Sequence, residues 1–215
     1  MDEIAPGIWR WTATHPEWQP DAEWGREVAS FALEVDETLV LVDPLVPDDV
    51  WPRLDELAAE RAAVAALITI PFHLRSSEDV LARYGAKASV WGHRAVAKKM
   101  RDGSSLRPIE PGAPLPGSAE AYAIGRRQEM PLWFPSHRSL AFGDAVVGVE
   151  GALRVWEVVE SAKRTAWYRN RLVPRLEPLL ALETESVLVT HGPPVMGGGR
   201  EALREALAAD PWDYR

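Results

Sequence analysis

The chain has 215 residues, 47% of them hydrophobic, and a formal net charge of −8. That is enough apolar chain for a substantial core and argues against disorder, while the acidic balance argues against nucleic acid, whose binding needs a basic face. No stretch approaches the roughly 20 apolar residues of a membrane span, the opening MDEIAPG lacks a basic start followed by an apolar core, and zero cysteines exclude disulfides and thiolate ligands. The expectation is a cytoplasmic protein with neither a nucleic-acid nor a membrane partner.

In chain order, Ile4 to Thr12 reads as an edge strand, with the turn pair Pro6-Gly7 near its start. His15 to Gly25 is polar and reads as a loop; the tryptophans at 9, 11, 18 and 24 cluster around it. Val28 to Val35 and the fully apolar Leu39 to Val42 are strands, the second ending at Asp43-Pro44. Asp48 or Asp49 can cap a helix to about Ala62, with Val50, Leu54 and Leu57 on one face. Ala65 to Ile70 is a buried strand stopped by Pro71, and its tip carries His73 and Arg75. Ser76 and Asp79 have capping-box spacing for a helix to Tyr84, which Gly85 stops. Ala88 to Trp91 is a strand and His93 to Arg101 a helix. Asp102 to Ala119, rich in Gly, Pro and Ser, reads as a connection between two halves, about 1–110 and 118–215, of one domain spanning 1–215.

The second half repeats the outline. Met130 to Phe134 and Leu140 to Phe142 read as a hairpin, the latter strand ending at Gly143-Asp144. Val146 to Val149 and Ala152 to Trp156 extend the sheet. Val158 to Leu182 is helical with breaks at Pro174 and Pro178. Ser186 to Thr190 is a buried strand ending at His191-Gly192-Pro193-Pro194, and Arg200 to Ala208 is a closing helix. Strands followed by helices, twice over, predict two sheets packed face to face with helices outside. Strand ends that turn into helices or loops are where open α/β folds gather ligands.

The order of these tips resembles the metallo-β-lactamase superfamily, over nearly the whole chain. Leu39 to Pro44 looks like its early strand ending in aspartate, and LAFGDA, Leu140 to Ala145, looks like the strand delivering a bridging aspartate, here Asp144. LVTHGPP, Leu188 to Pro194, looks like the last ligand strand, here His191. The resemblance, closest to glyoxalase II-like members, implies an αβ/βα sandwich (an α/β, four-layer arrangement of two mixed sheets flanked by helices) and a hydrolase-like ancestry. It also implies a zinc-binding His-x-His-x-Asp-His where this chain reads Ile68 to Ser76.

The departures concern that motif. With His73 at the family's second histidine, Pro71 stands for the first, Arg75 for the aspartate and Ser76 for the last histidine. A register one residue earlier puts Phe72 at the second histidine. No histidine lies between Gly117 and Pro131, where the mid-chain ligand is expected, so five histidines in the chain do not rebuild a two-zinc site. Zinc lowers the pKa of bound water by roughly 9 units, about 12 kcal/mol of acidity, and no single histidine replaces that. No resident cofactor is therefore expected, with zinc or another divalent ion at a three-ligand site as the alternative.

The expected site is His73, Asp144, His191 and Arg75. In the favoured register Arg75 pairs with Asp144 and substitutes for the missing metal charge. A His73–Ser76 nucleophile pair is a further arrangement, although Ser76 reads first as a helix cap. His15, His93 and His137 read as loop, surface or turn residues. Three functions follow: a non-metal binding or hydrolase-like relative, an ester, thioester or lactone hydrolase with a reduced single-metal site, or an interaction module whose exposed tryptophans contact a second copy of the chain or another partner. A small-molecule ligand is implied by the first two, and its identity is not written in the sequence.

Overall fold

In a computed structural model describing residues 1–22 and 24–213, fourteen strands and five α-helices follow one another. The order is β1 Asp2–Ala5, β2 Ile8–Thr14, β3 Glu27–Val35, β4 Thr38–Val42, α1 Trp51–Ala59, β5 Ala63–Ile68, α2 Ser77–Tyr84, β6 Ala88–Gly92 and β7 Leu106–Pro108. There follow β8 Glu120–Ala121, β9 Leu132–Phe134, β10 Ser139–Phe142, β11 Val146–Val149, β12 Ala152–Val155, α3 Ala162–Trp167, α4 Val173–Leu176, β13 Ser186–Val189, β14 Val195–Met196 and α5 Gly199–Ala208. Strands β1 to β7 form one mixed sheet in sequence order, antiparallel up to β4 and parallel from β4 to β7. The second sheet has the order β14-β13-β10-β9-β8, with β10 and β13 parallel.

Period-two side chains build the layers. On β4 and β5, Val40, Val42, Ala65 and Leu67 point between the sheets, where they meet Leu132, Phe134, Ala141 and Leu188. Their alternates Leu39, Leu41, Val64, Ala66 and Ile68 pack outward onto Leu54 and Leu57 of α1 and Val80 of α2. In the second sheet Leu140, Phe142, Val187 and Val189 pack outward against Leu203 and Ala206 of α5 and Leu172. Three apolar layers separating helix, sheet, sheet and helix make the expected four-layer αβ/βα sandwich.

Several local expectations are corrected. Strands β11 and β12 pair only with each other, as a separate hairpin. Helix α1 has Val50 at its N-cap with no side-chain cap bond, Pro52 in its first turn helping to set its start, and it ends at Ala59. Ser76 stands at the N-cap of α2 but makes no side-chain cap bond; its hydroxyl instead accepts from the Val46 N–H at 3.0 Å, tying the β4 tip to the β5 tip. The segment after β6 forms a 3-10 turn, Arg94–Lys98. The tryptophans at 9, 11, 18 and 24 are all at least partly buried, and Trp9, Trp11 and Trp18 donate their indole N–H to Glu34, the Leu45 carbonyl and the Trp24 carbonyl. No helix among the described residues is long and apolar enough to cross a membrane.

Candidate active site

Four strand tips meet at one edge of the two sheets. Because β4 runs parallel to β5 and β10 parallel to β13, the ends of each pair point the same way. Asp43 follows β4, Thr69 to Arg75 follow β5, Asp144 follows β10 and His191 follows β13. Gly143 permits the close approach of the sheets: a Cβ there would stand 2.5 Å from Thr69 Oγ1 and 3.0 Å from Ile70 Cγ2.

Asp43 organises the first sheet's tips. Its carboxylate accepts from the Thr69 N–H at 2.8 Å and from the Thr69 hydroxyl, and its Oδ2 lies 2.9 Å from His73 Nδ1. It holds this position with a left-handed φ of 47°, uncommon for a residue with a side chain. The bond to Asp43 fixes the proton on His73 Nδ1 and turns Nε2 to Asp144, whose Oδ1 is 3.2 Å away. The same oxygen is 3.4 Å from His191 Nε2. All three residues are at most 9% exposed.

A second carboxylate shapes the other tip. Glu129 Oε1 accepts the backbone N–H groups of Gly143, Asp144 and Ala145 at 3.0, 3.1 and 3.0 Å. Arg126 stands behind it, 3.4 Å from Glu129 Oε2 and 3.4 Å from Glu157 Oε2, and Arg164 closes the row on Glu157. Two arginines thus face two glutamates, with Arg164 at the exposed end of the row.

His191 has an aromatic surround. Trp24 and Trp156 stand edge-on to its ring at centroid distances of 5.9 and 5.4 Å, and His15 packs edge-on against Trp24 at 4.9 Å. A cleft of about 470 Å³ opens beside it, walled by Val147, Val149 and Trp212 with Arg26 and Glu150 at its edge.

The electrostatics follow from this packing. Burial and the Arg75 charge push His73 down, but Asp43 and Asp144 outweigh them and hold its imidazole above the ordinary histidine range. Burial raises Asp144, yet His73 and His191 keep its carboxyl well below the usual carboxylate range. His191 is lowered by burial, which Asp144 offsets only in part. Burial pushes Glu129 up to about 7, against the pull of Arg126 and the Ala145 N–H.

Arg75 departs from expectation. Its guanidinium does not pair with Asp144; Nη1 donates to the carbonyl oxygens of Asp43 at 2.9 Å and Ala29 at 3.3 Å. The bond to the Ala29 carbonyl holds the side chain toward β3, and the Arg75 backbone has a φ of 42°. Its charge still acts on Asp43, Asp144 and all three neighbouring histidines, 15, 73 and 191.

Solved structures of similar architecture are plain in kind. The DIM-1 metallo-β-lactamase aligns over 96% of this chain and 94% of its own, with a TM-score of 0.67 at 12% identity. A metallo-β-lactamase from Erythrobacter litoralis covers 96% and 93% with a TM-score of 0.62 at 17% identity. This chain has the metallo-β-lactamase fold. A chemotaxis sensor solved as a peroxy diiron species shares it over 86% of this chain and 87% of its own, with a TM-score of 0.61 at 15% identity. No family model and no curated protein matches the sequence.

The metallo-β-lactamase fold implies a metal, and the donor set can be tested against one. His73, Asp144 and His191 each offer one ligand atom, all within 4.8 Å of one another. Two donors each about 2.05 Å from a tetrahedral centre stand about 3.3 Å apart, which matches the 3.2 and 3.4 Å separations at Asp144 Oδ1. That oxygen is buried and within ion-pair distance of both imidazoles, without a well-aligned hydrogen bond to either. Two imidazoles and a carboxylate suit one zinc or iron ion with open positions. No other such cluster occurs among the described residues. His93 and His137 are elsewhere, accepting from the Ala95 N–H and bonded to the Glu34 carbonyl.

The structure thus brings together His73, Asp144 and His191 as expected and places Arg75 beside them. Two participants, Asp43 and Glu129, are absent from the expected site. Asp43 carried a signal, because LVDP and FGDA are both apolar strands ending in aspartate. Glu129 carried none, since its role depends on a loop that folds back onto another strand's tip.

Proposed function

We propose that this chain is a hydrolase of small esters, thioesters or lactones that works with a single divalent ion held by His73, Asp144 and His191. The observation that carries this reading is the shared Asp144 oxygen, 3.2 and 3.4 Å from the two imidazole nitrogens without a well-aligned bond to either. The ion would supply Lewis acidity toward a carbonyl oxygen and acidity to a bound water. The chain's own contributions are orientation and exclusion of solvent. Asp43 fixes the His73 tautomer with Nε2 free to ligate, as carboxylates behind metal-binding histidines do. Glu129 holds the turn carrying Asp144 by three N–H bonds, and Trp24 and Trp156 shield His191. The cleft beside His191 offers apolar walls to the substrate's non-reacting portion.

A second reading, a metal-free ligand-binding protein, is favoured by Arg75, a partly buried cation whose charge reaches Asp144 without touching it. Metal content separates the two. After expression with added zinc, iron or manganese, plasma mass spectrometry on the purified protein should give close to one ion per chain. The His191→Ala variant should lose the ion and His137→Ala should keep it. A wild-type content well below one ion per chain sinks the single-ion reading and leaves the metal-free one.

A further inference from the structure

Arg75 combines three features. Its backbone sits in the left-handed region at φ 42°, a strained place for a long side chain. Its Nη1 is fixed by two carbonyl oxygens, those of Asp43 and Ala29. Its Nε and Nη2 are buried with no hydrogen-bond partner, while the residue as a whole keeps partial exposure. Nε and Nη2 together form the side-on edge by which a guanidinium grips a carboxylate bidentately. Leaving two charged donors unpaired costs stability, and native proteins retain such groups where a ligand or function uses them.

We propose that Arg75 is a ligand-binding residue that receives an anionic oxygen group, a carboxylate, on the molecule occupying the candidate active site. The inference deepens the single-ion reading and rests on it through the charge count. Asp43 and Asp144 against Arg75 leave one negative charge around neutral imidazoles, and a divalent ion turns that into one positive charge. The Arg126, Glu129, Glu157 and Arg164 row behind Asp144 adds no net negative charge, since two arginines face its two carboxylates. A loaded site with one excess positive charge and an unpaired guanidinium edge favours an anion over a neutral molecule of the same shape. Arg75 is fixed by the backbone rather than by either carboxylate, so it can engage a ligand without breaking an ion pair.

The test compares benzoate with benzyl alcohol, which share a ring suited to the Trp24 and Trp156 surround of His191 and differ in charge. Calorimetric titration is run on zinc-loaded and metal-stripped full-length chain, for wild type, Arg75→Gln and Arg75→Lys. The zinc-loaded wild type is expected to bind benzoate at least about tenfold more tightly than benzyl alcohol, about 1.4 kcal/mol. In Arg75→Gln that preference should fall to near unity. In Arg75→Lys it should drop at least about threefold, because the charge remains but the planar fork is lost. A preference equal in wild type and Arg75→Gln, or no preference in wild type, overturns the proposal. Should Arg75→Gln fail to fold by circular dichroism, the Arg75→Lys comparison decides alone. Should wild type take up no zinc, the single-ion reading fails by that measurement. The benzoate preference of the stripped chain then decides the role of Arg75 independently: lost on Arg75→Gln it stands, absent or unchanged it falls.

Discussion

His73 lies between two carboxylates, with Nδ1 2.9 Å from Asp43 Oδ2 and Nε2 3.2 Å from Asp144 Oδ1. The two carboxylates differ in what else they hold. Asp43 is saturated by Thr69 and His73, whereas Asp144 Oδ1 has no well-aligned partner. One therefore acts as an orienting group and the other as a donor to whatever occupies the site. Replacing Asp43 by Asn keeps the size but weakens the grip on the His73 tautomer. The expected outcome is a 10- to 100-fold loss of zinc affinity, the usual range for such outer partners. Competition with a chromogenic chelator measures it, and an unchanged affinity would show that His73 needs no orienting carboxylate.

The Glu129 carboxylate is the only side chain fixing the three successive N–H groups that carry Asp144, among the described residues. Glu129→Ala leaves those donors unmet and removes one of two carboxylates facing the buried Arg126. Breaking a buried ionic group in this way costs about 3–5 kcal/mol. Glu129→Gln retains an acceptor oxygen for the turn and should cost less, about 1–3 kcal/mol. Urea unfolding of the two variants orders them. Equal losses would mean that the ion pair with Arg126, not the turn, is what Glu129 supports.

Much of this was legible in the sequence, and for a definite reason. The sheets announce themselves because buried strands such as Leu39 to Val42 and Val187 to Val189 are apolar on both faces, each face meeting a different layer. The tips at Asp43, His73, Asp144 and His191 stand out because polar residues end those apolar runs. What was not legible depends on contacts between tips. Nothing local tells that Ser76 binds the Val46 N–H in place of capping α2, or that Arg75 turns to the Asp43 and Ala29 carbonyls and away from Asp144. Side-chain direction at a strained residue is set by the neighbours that a fold brings near, and spacing along the chain does not encode them.

Gly143 offers a test of how tightly the two sheets' tips are apposed. Alanine there would put its methyl 2.5 Å from Thr69 Oγ1, and Thr69 is held by Asp43. The clash cannot be relieved by swinging a flexible side-chain end, since the threonine hydroxyl is bonded in place. Gly143→Ala should destabilise by about 1–3 kcal/mol, the range for overpacking, and should displace Asp144 from the shared point. Adding Thr69→Ala should recover part of the stability. In a double-mutant cycle by thermal unfolding, strict additivity of the two changes would show that the tips are not in contact.

The last prediction concerns acidity at His15, which closes the aromatic row over His191. Its Nδ1 accepts from the Glu17 N–H at 3.2 Å, and its ring stands edge-on to Trp24. Burial and then the Arg75 charge lower its pKa, with His73 and His191 acting in the same direction and Glu17 opposing. The unfolded chain has an ordinary histidine value near 6.5. As pH falls past that value, the unfolded state takes up the proton before the folded state does, so stability declines. The decline starts near about 6.5 and stops once pH passes the folded-state value. Above that window the group contributes no pH dependence. His15→Gln cannot be protonated, so its urea midpoint should fall less than wild type between pH 7.5 and 5.5. Parallel curves for the two proteins would mean that the loop tolerates a charged His15 and that the contact with Trp24 does not depend on the neutral ring.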